Sequence, residues 1–224
     1  DPAGEATLNG RLRPTADAIA VTWPLANGNL QADIRNASFS ASGPFRSVAF
    51  DLTADVARLA VPPGRFDDII LRLGGDGIDL STMNGFMTAE LSAAAVTMDD
   101  PQLAKLVRGP IRLVAPLAVA GDTIKADRIK LSSGAIGGSA SLGYDMATTA
   151  FDLAFETFAA SSALLPPDLA AKAGATVKLA GKISGTPENV TLNGIQLTSG
   201  IATAKLDGTL TGGDLSASLS GDVP

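Results

Sequence analysis

Apolar and polar residues alternate along most of the chain, in short runs with a period of two. In the run 111–119, for example, every second residue is Ile, Leu, Ala, Leu or Val. Alternation of this kind predicts β-strands that bury one face. Turn sequences such as those at 74–77 and 211–214 separate the runs, and more than a dozen runs follow one another at a spacing of roughly 8–12 residues. The chain is therefore predicted to be all-β.

The alternating pattern itself repeats after 66 residues. The segment 129–134 (Ile-Lys-Leu-Ser-Ser-Gly) recurs at 195–200 (Ile-Gln-Leu-Thr-Ser-Gly), and 195 − 129 = 66. The same offset carries residues 101–104 onto residues 167–170 without a gap. Repeats of this kind build elongated arrays in which each unit buries its face against its neighbours. We therefore expect an extended array of repeat units.

Each repeat unit is predicted to begin with a short helix and to continue with four or five antiparallel strands. In the first unit Asp100 suits the N-cap, Pro101 the first turn and Gly109 the end of the helix, and residues 166–174 repeat this signature. Three parts of the chain are predicted. Residues 1–98 form one or more diverged β-groove units, residues 99–164 form a β-groove repeat that the short helix opens, and residues 165–224 form a truncated second copy of that repeat.

A slip in the alternation occurs at the same place in both copies. In the run 124–131 the apolar positions change parity between Ala126 and Ile129, and in the second copy they change parity between Leu192 and Ile195. Apolar groups stay on one side of a sheet across such a step only if a bulge absorbs the extra residue. We therefore expect a β-bulge at this level of each unit, which bends the sheet about a groove.

Composition argues against several classes of function. The net charge is −6 and the chain contains neither Cys nor His, while 46% of its residues are hydrophobic. The acidic balance makes nucleic acid an unsuitable partner, since phosphate backbones require clustered Lys and Arg. Without His the commonest general base and metal ligand is missing. We expect no enzyme activity, no cofactor and no metal site.

Two acidic features have structural explanations that we favour over chemical ones. Residues 74–79 contain one copy of the Gly-Gly-x-Gly-x-Asp core of calcium-binding β-rolls, but such sites need tandem copies, so a plain hairpin turn is expected. The pairs Asp67-Asp68 and Asp99-Asp100 are expected at element boundaries, where Asp serves turns and caps.

The remaining feature is the apolar stripe that the alternation creates. Alternating strands often form the dry core of a sandwich or closed barrel. We favour an open groove that accommodates lipid, because the repeat implies extension along one axis and the stripe consists mainly of aliphatic side chains. The candidate groove residues are Leu113, Leu117, Ile124, Ile129, Leu131, Ile136, Leu142, Leu179, Ile183, Val190, Leu192, Ile195, Leu197, Leu206 and Leu210.

The repeating motifs resemble those of a known family. The Ile-x-Leu-x-Ser-Gly strand at 129–134 and 195–200, each followed by an alternating strand, is similar to the repeats of the TamB group of the AsmA-like superfamily. The Leu-Pro-Pro-Asp-Leu segment at 165–169, which leads into residues 177–187, resembles the same group. The resemblance covers residues 101–224 best.

The resemblance implies an all-β fold, namely an extended antiparallel repeating β-groove (a β-taco) with short helices at repeat junctions. It also implies an internal segment of a periplasmic bridge whose full-length form is anchored in the inner membrane. Such a bridge would carry phospholipid acyl chains between the inner and outer membranes, or would support outer-membrane protein assembly with a TamA-type β-barrel. The alternative is a structural or adhesive β-solenoid with a dry core that recruits protein partners.

Overall fold

The part of the chain that the structure describes forms fourteen β-strands and three short helices. A computed structural model describes residues 5–12, 18–25, 28–62, 64–107 and 109–222. The strands are β1 (Glu5–Leu12), β2 (Ile19–Leu25), β3 (Gly28–Pro44), β4 (Val48–Val61), β5 (Gly64–Asp79), β6 (Asn84–Met98), β7 (Ile111–Ala120), β8 (Thr123–Ser133), β9 (Ile136–Asp145), β10 (Phe151–Ala160), β11 (Thr176–Thr186), β12 (Asn189–Thr198), β13 (Thr203–Thr211) and β14 (Asp214–Asp222). The helices are α1 (Pro101–Leu106), α2 (Ser161–Leu164) and α3 (Pro167–Ala173).

All fourteen strands belong to one antiparallel sheet. From β3 to β14 the spatial order follows the chain order, so that each strand pairs with the strand before it and the strand after it. At the other end β1 and β2 pair with different parts of β3. Within the described residues β14 pairs with β13 alone, and the sheet is open. The all-β fold with an extended antiparallel sheet is therefore confirmed.

The helices lie where the repeat predicts them, between groups of four strands. Helix α1 precedes β7–β10, and α2 and α3 precede β11–β14. The side chain of Asp100 caps α1, since its Oδ1 accepts a hydrogen bond from the backbone N–H of Leu103 at 3.0 Å. Gly174, directly after α3, has a φ of 81°, a value that favours glycine. The sequence did not predict helix α2, because no capping residue marks its start.

The bulges lie at the positions that the slipped alternation predicts. The pairing of β8 with β9 shifts by one residue between Ala126 and Ile129. The pairing of β12 with β13 shifts between Leu192 and Ile195, which is 66 residues further along the chain. In the second bulge Gly194 has a φ of 59°, and its N–H donates to Oδ1 of Asp207 at 2.6 Å. The same irregularity thus recurs in both repeat units.

Two predictions in the first hundred residues are wrong. Residues 74–77, expected to form a turn, lie inside β5, where Gly74 pairs with Asp51 on one side and with Thr88 on the other. The pair Asp67-Asp68, expected at an element boundary, also lies within β5. Backbone partners in β4 and β6 hold residues 74–76 extended despite their turn-forming character, whereas Asp68 interrupts the pairing within the strand with a left-handed φ of 51°.

Little of the chain is fully buried. The solvent-accessible surface is 13628 Å², whereas a compact monomer of 22.6 kDa exposes about 9,500 Å². In the described parts of the chain the fully buried apolar residues are Ile69, Ile78, Ala93, Ala115, Ala126, Ala173 and Val177. Four of these seven are alanines, so no centre of large buried side chains holds the fold together. The hydrogen bonds between strands and the partly buried apolar face must supply most of the stability.

Candidate functional site

The strand register brings all fifteen candidate groove residues to one side of the sheet. Directly paired residues in an antiparallel sheet point to the same face. Leu113 pairs with Leu131 across β7 and β8, and Leu179 pairs with Leu197 across β11 and β12 in the second copy. The other candidates in β8 and β12 stay on the same side of the sheet because a β-bulge in each strand absorbs the extra residue. We call this side of the sheet the apolar face and the opposite side the polar face.

The apolar face extends beyond the candidate residues. Leu113 also pairs with Leu91 of β6, which in turn pairs with Leu71 of β5, so that a row of leucines runs across four strands. In β4 the alternating residues of 48–56 continue the face. Sequence reasoning omitted these positions because residues 1–98 do not follow the 66-residue register, although their alternation was visible.

No charged side chain lies on the apolar face from β6 to β14. In β4 and β5, Arg58, Arg65 and Asp67 share this face at one end of the strands, beyond the positions in register with the candidates. The in-register positions themselves are uncharged from β4 to β14. Their side chains are aliphatic or aromatic, or absent at glycine, with three hydroxyl-bearing exceptions. These exceptions are Ser133, Tyr144 and Thr157. With twelve strands from β3 to β14 and about 4.8 Å between neighbours, the face is about 53 Å long.

The candidate residues are sheltered but not covered. Leu179 and Leu197 are 37% and 39% exposed, and the other thirteen candidates are half-buried. No second sheet packs on this face in the part of the chain that the structure describes, because every strand belongs to the same single layer. Neighbouring aliphatic side chains therefore shelter one another while their outer surface meets solvent. An exposed apolar surface of this extent is rare on monomeric proteins and marks a place where something binds.

Charged side chains are arranged on the polar face. Arg112 of β7 lies 3.6 Å from Glu90 of β6, and Nζ of Lys205 lies 2.8 Å from Asp207 within β13. The hydrogen bond from Lys205, together with the N–H of Gly194, holds the pKa of Asp207 below its ordinary value. Asp207 therefore stays ionised and keeps its hydrogen bond to the second bulge. In the first copy Ser141 stands at the position of Asp207.

A depression of 560 Å³ lies mainly on the polar face, next to the first bulge. Phe86, Pro116 and Lys125 line it together with Asp127 and Arg128. It is open to solvent and carries both signs of charge, so it lacks the uniform apolar lining of a lipid site. We therefore assign the candidate binding surface to the apolar face rather than to this depression.

Other kinds of site have little support in the described structure. None of the described helices has the length and apolarity needed to span a membrane. Within the same residues no three acidic side chains come close enough together to hold a metal ion. Residues 74–79, which carry the β-roll sequence, form strand and bulge in β5 rather than a loop wrapped around an ion.

Compared with known proteins, the chain matches no family model, no curated sequence and no solved structure.

Proposed function

We propose that the chain is a β-groove segment whose apolar face carries the acyl chains of phospholipids. The observation that carries the proposal is the combination of two properties of that face: it bears no charge from β6 to β14, and no second layer covers it among the described residues. A protein that needed only a dry core would bury such a face against another sheet or helix layer. An acyl chain is a ligand that requires apolar surface and no directional contacts.

The dimensions of the face suit this ligand. One leaflet of a bilayer has a hydrocarbon depth of about 15 Å, so a face about 53 Å long offers room for roughly three acyl chains end to end. Each methylene removed from water contributes about 0.8 kcal/mol. Because leucine, isoleucine and valine recur along the array, successive positions offer similar energies, and a bound chain can slide without entering a trap.

The resemblance to the TamB group extends the proposal to a cellular role. In that role the chain is an internal section of a periplasmic bridge, anchored in the inner membrane elsewhere, that conducts phospholipid between the two membranes. A TamA-type outer-membrane barrel would be its partner, and support of outer-membrane protein assembly would be a related activity. The competing proposal is a structural β-solenoid whose apolar face is covered by a partner or by a second copy.

Lipid extraction from the purified chain tests the proposal. The test variant is Leu131→Asp/Leu197→Asp, which places one charge on the apolar face of each repeat. The matched control is Ser132→Asp/Gln196→Asp, which places the same charges on exposed positions of the polar face in the same two strands. Circular dichroism checks that both variants fold, and mass spectrometry of the extracts measures the bound phospholipid.

The expected result is phospholipid in the wild type and the control, and its loss from the folded test variant. A wild type that carries no lipid and takes up none from vesicles would refute the proposal. An unfolded test variant beside a lipid-free wild type would instead support the structural solenoid, because an unpaired charge would then have entered a covered core.

A further inference from the structure

A depression lies on the polar face beside each of the two bulges. At the first bulge the pairing of β7 with β8 is interrupted between Val114 and Ala118, where Pro116 has no N–H to donate. At the second bulge the pairing of β11 with β12 shifts between Ala180 and Lys182. The depressions have volumes of 560 Å³ and 500 Å³, and we call them the first and second polar depressions. Both volumes lie within the usual range of ligand sites, about 300–1,000 Å³.

The two polar depressions are related by the 66-residue repeat. Residues 88, 116, 127 and 128 line the first, and the positions 66 residues further along, namely 154, 182, 193 and 194, line the second. The strand β12 lies four strands away from β8 in the sheet, so the two depressions are about 19 Å apart. The polar face therefore presents the same kind of hollow twice, along the direction in which the repeats follow one another.

The first polar depression combines balanced charges with an exposed aromatic ring. Two acidic side chains, Asp76 and Asp127, and two basic side chains, Lys125 and Arg128, line it. These four make no ion pair within the described residues. Phe86 also lines the depression and is 76% exposed. Hydrogen-bonding groups of both kinds are thus available around an apolar ring, with no net charge.

The second polar depression has the same balance with different residues. One acidic side chain, Glu156, and one basic side chain, Lys182, line it together with the amides of Asn193 and Gln196. All four side chains are exposed. An amide both donates and accepts hydrogen bonds, so this depression too offers donors and acceptors without net charge.

From this recurrence we infer that the polar face binds a linear, uncharged glycan that spans both polar depressions. Sugar hydroxyl and acetamido groups donate and accept hydrogen bonds, and both depressions supply both kinds of partner. The balanced charge gives a polyanion or a polycation no advantage. The flat C–H face of a pyranose ring packs on an exposed aromatic ring such as that of Phe86. Because this site lies on the side opposite the apolar face, the inference does not rest on the proposed function.

Isothermal titration calorimetry with two chito-oligosaccharides tests the inference. Chitohexaose is long enough to reach from one polar depression to the other, whereas chitobiose can occupy only one of them. We therefore expect chitohexaose to bind about tenfold more tightly than chitobiose, or better. Because the ligand is uncharged, its affinity should change less than about twofold between about 0.1 M and about 1 M salt, over which the Debye length shrinks from about 10 Å to about 3 Å.

Two variants each impair one polar depression. Phe86→Ser removes the ring from the first, and Asn193→Ala/Gln196→Ala removes the amides from the second. Each is expected to weaken chitohexaose binding about tenfold, towards the affinity for chitobiose. The control is Phe45→Ser, which removes a phenylalanine that is 49% exposed and lies outside both depressions, and it should bind like the wild type. Circular dichroism checks folding, and either variant decides the question if the other does not fold.

Four results would overturn the inference. The first is a wild type that does not bind chitohexaose, and the second is equal affinity for chitohexaose and chitobiose, which would mean that no ligand spans the two depressions. The third is a set of folded variants that bind chitohexaose as tightly as the wild type. The fourth is tighter binding of dextran sulfate than of chitohexaose, which would make the polar face a surface for polyanions. None of these results bears on acyl-chain binding by the apolar face.

Discussion

The exposure of Leu197 determines how much a charge at that position costs the fold. Its side chain is 39% exposed, so about three-fifths of its surface is removed from water. Burying a whole leucine side chain contributes about 1.5–3 kcal/mol, and the partial burial therefore contributes about 1–2 kcal/mol. Because an aspartate there still reaches solvent, we expect Leu197→Asp to lower the free energy of unfolding by about 2 kcal/mol.

Ala126 provides the comparison, because it faces the same side of the sheet and is only 1% exposed. Ala126→Asp buries an unpaired carboxylate, and we expect it to cost about 4 kcal/mol or more. Urea unfolding followed by circular dichroism measures both variants, with Leu197→Ala as the control for lost apolar contact. Equal costs of 4 kcal/mol or more for both aspartates would refute the reasoning, since Leu197 would then be covered in solution.

Two further predictions concern the turns. Gly185 has a φ of 140°, and a Cβ there would lie 1.9 Å from the carbonyl oxygen of Asn189, so Gly185→Ala should lower stability by about 2–4 kcal/mol in thermal unfolding. Gly212→Ala is the control, with φ 58° and open space around the new Cβ, and should cost about 1 kcal/mol. Hydrogen bonds within their turns hold the pKa values of Asp79 and Asp145 below the ordinary 3.8. Such groups stabilise the fold above their unfolded pKa, so the urea midpoint should be constant from pH 7 to 5 and fall below about pH 4; a fall already at pH 6 would contradict this assignment.

The period of the sequence determined which side of the sheet each residue occupies. In a strand the side chains alternate strictly, so the pattern at 111–119 defines one face without any knowledge of neighbours. The slip between Ala126 and Ile129 likewise required a bulge, because only an extra residue keeps both apolar groups on one face. The helix cap of α1 followed from local chemistry, because the carboxylate of Asp100 accepts a hydrogen bond from the backbone N–H of Leu103.

The sequence alone did not predict that β5 runs without a break through residues 74–77; this depends on the tertiary structure. Gly74 and Gly75 favour a turn by themselves, yet β4 and β6 supply hydrogen-bonding partners on both sides and hold the segment extended. The extra helix α2 likewise depends on its packing against α3 and β10 rather than on a capping residue. Local propensities of this size are overridden once neighbouring strands are in place.

The sequence alone also could not determine whether the apolar face is open or covered. A strand that buries one side against a second sheet shows the same alternation as a strand that borders an open groove, because each requires apolar residues at every second position. Only the arrangement of whole strands distinguishes the two cases. Here the strands from β3 to β14 follow one another in a single layer, and no described element returns to cover their apolar face, so Leu179 and Leu197 remain in contact with water.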